Sequence, residues 1–436
     1  MTQKLTLATS LGALLCAAAF GCSSSSPAPA PTPETGDAGV PSKPLPGDAA
    51  TGTDAESEAG VPVSYPAFCE KGDTRVACAR DTEGKVGKGG RFIPSGQSAS
   101  LAGAATDGAG RFAYVTVGPY SLDNKSPVDS AIWKVDLSSG DHEVIYGPHI
   151  KNPDEGLPNQ TYEIIGTGPG LSKASGPAFG PDGALYVAGG GKTGTSGQLV
   201  RLDISVTPAK AAYVYADLGT FRATEPGKCI YAPGGTPVVT GTAAEPVFHM
   251  AFGGMGFSGI AKIKGETCTV VSATGSPIVG TGPEFNAGNS PEGLVADKAG
   301  QLYTSQFVNS GIFRIDPATG ARSIVFKLID EPKAPKVGTG CYAQGRHAVS
   351  GTTIFSVGGR PSVCGTGVSG VFLSTIDASK PAAPVGEILE QISDPVSDQF
   401  MNVWVLPGQA TRLLVHSGSG LGYVDVSTKK TVWLAH

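Results

Sequence analysis

Short apolar runs with alternating polar positions recur along the chain from Ala102 onward, separated by turns rich in Gly, Asp and Pro. The stretch GPAFGPDGALYVAGGGKTGTSGQLVRLDI, Gly176 to Ile204, overlays EGLVADKAGQLYTSQFVNSGIFRIDPATG, Glu292 to Gly320. Each reads as an apolar strand, a Gly turn, a Leu-Tyr strand, a polar loop and a strand ending in Arg-Leu-Asp or Arg-Ile-Asp. Ala102 to Gly140 repeats this order with a longer middle loop, and looser copies cover Thr236 to Val271, Arg346 to Asp377 and Asn402 to Leu434. The period of two and the frequent turns predict antiparallel strands and no helices of consequence. A plain fourth strand follows in HEVIYG, ARSIVFKL and KTVWLA.

A four-stranded sheet that is apolar on both faces cannot cover itself, whereas a ring of such sheets buries each face against the next. The expected fold is therefore all-β, a six-bladed β-propeller of four-stranded antiparallel blades, preceded by a signal peptide and a disordered linker. It occupies residues 61–436. Within it Phe68 to Gly96 is too polar for another blade, so 61–97 is expected to supply a closing strand or a capping loop.

Composition agrees. The 63 glycines of 436 residues are about double the usual share of roughly 7 %, and charged residues are 16 %, below the roughly 25 % of an average domain. With a net charge of −5 and no basic cluster, the footprint of a nucleic-acid binder is missing.

The N-terminus carries an address. Lys4 precedes an apolar run from Leu5 to Phe20 and a small Gly21, which reads as an export signal over 1–21 and is too short for a membrane span. Residues 22–60 follow, rich in Ser, Pro, Ala and acid and without an aromatic side chain. They cannot bury enough apolar surface to fold and are expected to form a disordered tether. The folded region also holds Cys69, Cys78, Cys229, Cys268, Cys341 and Cys364, an even number that suits disulfides in an exported chain. Pairing of sequence neighbours would keep each bridge within one repeat or loop.

Two resemblances sharpen these expectations. Ala19-Phe20-Gly21-Cys22 resembles a bacterial lipobox with Ala in place of the usual Leu. It implies lipidation of Cys22 and attachment by lipid anchor alone to the cell envelope, at the outer membrane or surface of a bacterium; ordinary cleavage after Gly21 with a secreted product is the alternative. The segments GPAFGPDGALYVA and PEGLVADKAGQLYTSQ resemble blades of NHL and SMP-30/gluconolactonase-like propellers. In the lactonases of that class a divalent ion, often calcium, is held by a Glu of an EGP turn, an Asn of a PNG turn and further Asp and Asn residues. Here the first turn reads Ser175-Gly176-Pro177 and the second Pro291-Glu292-Gly293, so the resemblance leaves Glu292 as the metal candidate.

First strands of propeller blades line the central channel. Ala102, Ser175, Gly235 or Thr236, Glu292, Arg346 or His347, and Met401 or Asn402 are thus expected at one mouth, with Ser175, Glu292, Arg346, His347 and Asn402 as candidate site residues. His249 and His416 alternate with apolar neighbours and read as packed strand residues, while His142 and His149 read as solvated. Two functions follow. One is a tethered binding or interaction module, with an envelope protein, a glycan or a small molecule as partner, acting as a monomer through the channel mouth or the loops 118–130, 147–173 and 217–235. The other is a metal-dependent lactonase-like hydrolase or lyase. The broken ligand pattern leans against an enzyme, and no catalytic set is assigned.

Overall fold

Alternation of apolar and polar positions makes each repeat fold as an antiparallel meander. The computed structural model describes residues 63–68, 87–93, 99–120, 129–155, 159–190, 197–216, 235–254, 257–275, 278–285, 291–306, 311–327, 343–359, 371–377, 386–392, 402–409, 411–416, 420–428 and 430–435. The signal segment, Cys22, the tether, Cys69, Cys78, Cys229, Cys341, Cys364 and Met401 lie outside them. Cys268 is disulfide-bonded, to a partner outside the described residues.

The first sheet holds β1 (Ser100–Thr106), β2 (Phe112–Gly118), β3 (Ala131–Asp136), β4 (His142–Ile150) and β5 (Tyr162–Ile165). The second holds β6 (Ala174–Phe179), β7 (Leu185–Gly190), β8 (Gly197–Asp203) and β9 (Lys210–Ala216), and the third β10 (Val238–Gly241), β11 (Pro246–Gly254), β12 (Phe257–Lys264) and β13 (Thr267–Thr274). The fourth comprises β14 (Glu292–Ala296), β15 (Leu302–Gln306), β16 (Gly311–Ile315) and β17 (Arg322–Lys327). In the fifth are β18 (Ala343–Ser350), β19 (Thr353–Gly359), β20 (Val371–Asp377) and β21 (Gly386–Ile392); in the last, β22 (Asn402–Val405), β23 (Arg412–His416), β24 (Leu421–Asp425) and β25 (Lys430–Ala435). Every ladder is antiparallel and every sheet runs in chain order, in a propeller arrangement.

The expectation of uniform four-stranded blades needs correcting. Among the described residues, five sheets have four strands, and the first has five. Its extra strand lies in 147–173, expected to be a loop, because His149 and Glu163 pair across β4 and β5 while Tyr162 and Ile164 alternate on the other side. Past β5, Thr167 bonds to Ala209 and Ala211 at the outer strand of the second sheet, so the first two sheets also join at their rims.

Middle strands show why the sheets need neighbours. Along β7, Leu185 and Val187 pack with Ile132 and Tyr114 of the first sheet, while Tyr186 and Ala188 pack with Phe248 and Met250 of the third. Successive residues point to opposite faces, and here both faces are covered. The innermost strands touch in the order β1, β6, β10, β14, β18, β22 and back to β1.

Turn chemistry repeats as well. In the first hairpins Asp182 accepts from the Tyr186 hydroxyl at 3.0 Å and Arg201 Nε at 2.8 Å, and Asp297 accepts from the Tyr303 hydroxyl at 3.0 Å. In the third turns Asp136, Asp203 and Asp425 each accept the backbone N–H and the hydroxyl of the serine two residues on. These are the Asx turns that Asp-containing loops favour.

Where the last sheet meets the first, two upstream segments cover the seam. Tyr65 donates its hydroxyl to Gly110 O at 2.8 Å, and Arg412 lies over the rings of Phe68 at 4.3 Å, Tyr65 at 4.9 Å and Tyr423 at 5.2 Å. Tyr423 in turn donates to Leu137 O at 2.9 Å, tying β24 to the first sheet. Phe92 is fully buried in the same apolar cluster. His142, expected to be solvated, is buried there: Nδ1 and Nε2 lie 2.8 Å and 2.6 Å from the carbonyl oxygens of Gly140 and Gly90. The cause is the segment 87–93, which packs over the turn that holds it.

His249 is a packed residue of β11, 5 % exposed, and neither ring nitrogen has a hydrogen-bond partner among the described residues. Burial, helped by Lys262 directly across the ladder, pushes its imidazole from 6.5 down to about 4. Below pH 6.5 the unfolded chain then binds a proton that the folded chain refuses. Stability should be fully present above about pH 6.5 and fall by up to about 3 kcal/mol as the pH drops towards 4. Denaturant unfolding between pH 4 and pH 7 checks this: His249→Leu should show a shallower fall, and an identical slope would remove His249 as the cause.

Candidate functional site

The first hairpins close with Thr106–Ala113, Phe179–Leu185, Gly241–Pro246, Ala296–Leu302, Ser350–Thr353 and Val405–Leu413, which fixes a common level at one end of the inner strands. Three residues back along each strand stand Gly103, Gly176, Val238, Gly293, His347 and Asn402. One residue further back stand Ala102, Ser175, Pro237, Glu292 and Arg346, the corresponding Met401 of the last sheet lying outside the described residues. In β1, β6, β14 and β18 the ladder slips at this height, between Leu101 and Gly103, Ala174 and Pro177, Glu292 and Val295, and Gln344 and His347. Such bulges bend a strand and re-aim its side chains.

Residues of all six inner strands, or of the approach to them, enclose a cavity of about 300 Å³. Its wall is mainly apolar, with Ala104, Pro177, Ala178, Leu294, Val295, Val349, Val403 and Trp404, and it reaches Thr106, Ala296 and Val405 at the closing pairs. Thr236, His347 and Asn402 bring polar groups to its inner end. Among the described residues no Asp, Glu, Lys or Arg lines it.

The inner end is narrow because backbones meet there. A β-carbon placed on Gly103 would come within 2.5 Å of Gly176 Cα and 3.3 Å of Thr236 Oγ1, and one on Gly176 would collide with Thr236 Oγ1. Only glycine allows strands to approach so closely.

The predicted residues separate accordingly. His347 and Asn402, both at least 95 % buried, come to the cavity. Ser175 does not line it: its buried hydroxyl donates to Ala188 O at 3.0 Å, inside its own hairpin. Glu292, at the start of β14, and Arg346, within β18, occupy the second of the two levels, and their side chains lie outside the described residues. Calcium takes six to eight oxygen ligands. At Glu292's level Ala102 and Pro237 offer no side-chain oxygen and Ser175 is engaged elsewhere, so the described side chains there do not make up a calcium centre.

Asn402 has a partner that the sequence reading placed only in the core. It pairs across the hairpin with His416, which is fully buried, and its Nδ2 lies 3.0 Å from His416 Nε2 and 3.2 Å from Ala102 O. A backbone carbonyl can only accept, so the amide nitrogen must face it, and His416 Nε2 must then accept while Nδ1 carries the proton. The imidazole also stacks on Trp404, with centroids 5.6 Å apart and planes at 26°. The short turn between two strands starting and ending in Asn402 and His416 was the available signal for this pair.

No family model matches the chain, and no curated protein sequence matches it. Among solved structures it is similar to a structural-genomics target provisionally described as a gluconolactonase, at 13 % identity over 81 % of this chain and 97 % of that one, with a TM-score of 0.43. It is also similar to a chain of a nidogen/laminin complex, at 10 % identity, 69 % and 88 % coverage and a TM-score of 0.41. Virginiamycin B lyase from Staphylococcus aureus gives 11 %, 77 % and 95 %, and 0.39.

The constriction makes a steric prediction. Gly176→Ala should cost about 1–3 kcal/mol of unfolding free energy, the usual penalty of overpacking. Gly108→Ala, where a β-carbon would meet nothing within 4 Å, should stay within about 0.5 kcal/mol of the parent. Equal effects of the two in denaturant unfolding would contradict the close approach of the strands.

Proposed function

We propose that this chain is an exported, lipid-anchored binding protein whose propeller, closed as six blades with 61–97 as the closing segment, holds a small, largely apolar molecule in its central cavity. The observation that carries the reading is the cavity itself. A space of about 300 Å³ bounded by every inner strand, apolar along its wall and polar at its inner end, has the size and chemistry of a small-molecule site. Its scaffold of paired strands is rigid, and rigid elements hold a site more accurately than loops do.

A metal-dependent hydrolase draws less support. Such chemistry needs several oxygen donors converging on one point, and among the described side chains at that level the one hydroxyl, that of Ser175, is turned to Ala188 O.

Two experiments test the two halves of the proposal. N-phenyl-1-naphthylamine, which brightens in apolar surroundings, should bind the full chain saturably at one site. Ala178→Phe, which fills the cavity from a half-exposed wall position, should weaken binding at least about tenfold. Binding that is non-saturable, or indifferent to Ala178→Phe, would refute the cavity reading. For the anchor, palmitate fed to expressing bacteria should label the protein, and Cys22→Ser should abolish the label. A secreted, unlabelled parent would leave ordinary signal cleavage in its place.

A further inference from the structure

We infer that the molecule held in the cavity carries a neutral hydrogen-bond donor, a hydroxyl or an amide N–H, on its apolar body, and that Asn402 Oδ1 receives it. This rests on the cavity-binding reading above. Asn402 lines the cavity and is 5 % exposed. Its amide has two N–H groups, and both are used, one on Ala102 O at 3.2 Å and one on His416 Nε2 at 3.0 Å. Both contacts found for the amide are made by its nitrogen, which leaves the oxygen to the cavity that Asn402 lines.

That oxygen cannot be exchanged for the amino group. Turning the amide over would put Oδ1 against Ala102 O, two acceptors face to face. The ring of His416 cannot move aside either, being fully buried and stacked on Trp404. The cavity therefore presents a fixed acceptor. An apolar ligand would leave it buried and unsatisfied, and a ketone or ether would set oxygen against oxygen. A cation would meet the acceptor but lose its water, with no carboxylate among the described lining residues to compensate. A neutral donor satisfies the acceptor without that loss.

The test uses two probes of one shape, 4-tert-butylcyclohexanol and 4-tert-butylcyclohexanone, titrated into the full chain and followed by ligand-observed NMR. The alcohol should bind about five- to tenfold more tightly than the ketone, the worth of one net hydrogen bond. Asn402→Leu should erase the preference. Should that variant fail to fold, the comparison in the parent protein decides alone. Equal affinities, or a preference for the ketone, would overturn the donor inference while leaving the cavity occupied. Binding of neither would overturn the cavity reading beneath it.

Discussion

A sheet with two apolar faces has to be covered twice, and that constraint governs the rest of this structure. Leu185 and Val187 look one way from β7, Tyr186 and Ala188 the other, and neither set could be left in water. Each sheet thus needs two neighbours, and a row of such sheets leaves two uncovered faces until its ends meet. Contacts around the inner strands, from β22 back to β1, are how the chain meets the demand.

The meeting of the ends is the entropically expensive step, because it joins residues hundreds of positions apart. It is also where specific polar contacts gather. Asn402 reaches Ala102 O, Tyr423 reaches Leu137 O, and Arg412 sits among Tyr65, Phe68 and Tyr423 while donating to Pro66 O at 3.3 Å. Segments 63–68 and 87–93 lie over this seam, adding Phe92 to its core. Apolar burial drives the sheets together, but it does not dictate which sheet follows which; these directional bonds fix the pairing of last with first.

Much of the fold could be read from the chain because its signals are local. Period-two runs, Gly-Pro-Asp-Gly and Asp-Pro-Ala-Thr-Gly turns and the recurring Leu-Tyr placed the strands and hairpins, and Asp182 and Asp297 show why those turns carry an acid. The fifth strand escaped because Tyr162-Glu163-Ile164-Ile165 is short and largely exposed, so its pairing with β4 leaves little mark on hydropathy. His142 escaped because its burial depends on Gly90, 52 positions away. For the site, counting along first strands singled out His347 and Asn402, which line the cavity, but on the third sheet it pointed to Gly235 or Thr236 where Val238 and Pro237 stand at the two levels. Ser175 lies off the cavity: the ladder slips between Ala174 and Pro177 and its hydroxyl donates to Ala188 O, and bulges leave no trace in a hydrophobic pattern.

The lopsided axis follows from the same geometry. On the first and second sheets the inner level holds glycine, and backbones close in there; on the fifth and last it holds His347 and Asn402, which line the cavity. Asn402 then has three tasks at one atom group: donate to Ala102 O, donate to His416 Nε2, and turn its oxygen to the cavity. Aspartate has the oxygen but no donors, serine a single donor, and glutamine an extra methylene that would carry the amide past both partners. Asn402 therefore serves both the ring closure, which it shares with Tyr423 and Arg412, and the polar floor, which it shares with Thr236 and His347, and asparagine is the residue that meets both requirements at that length.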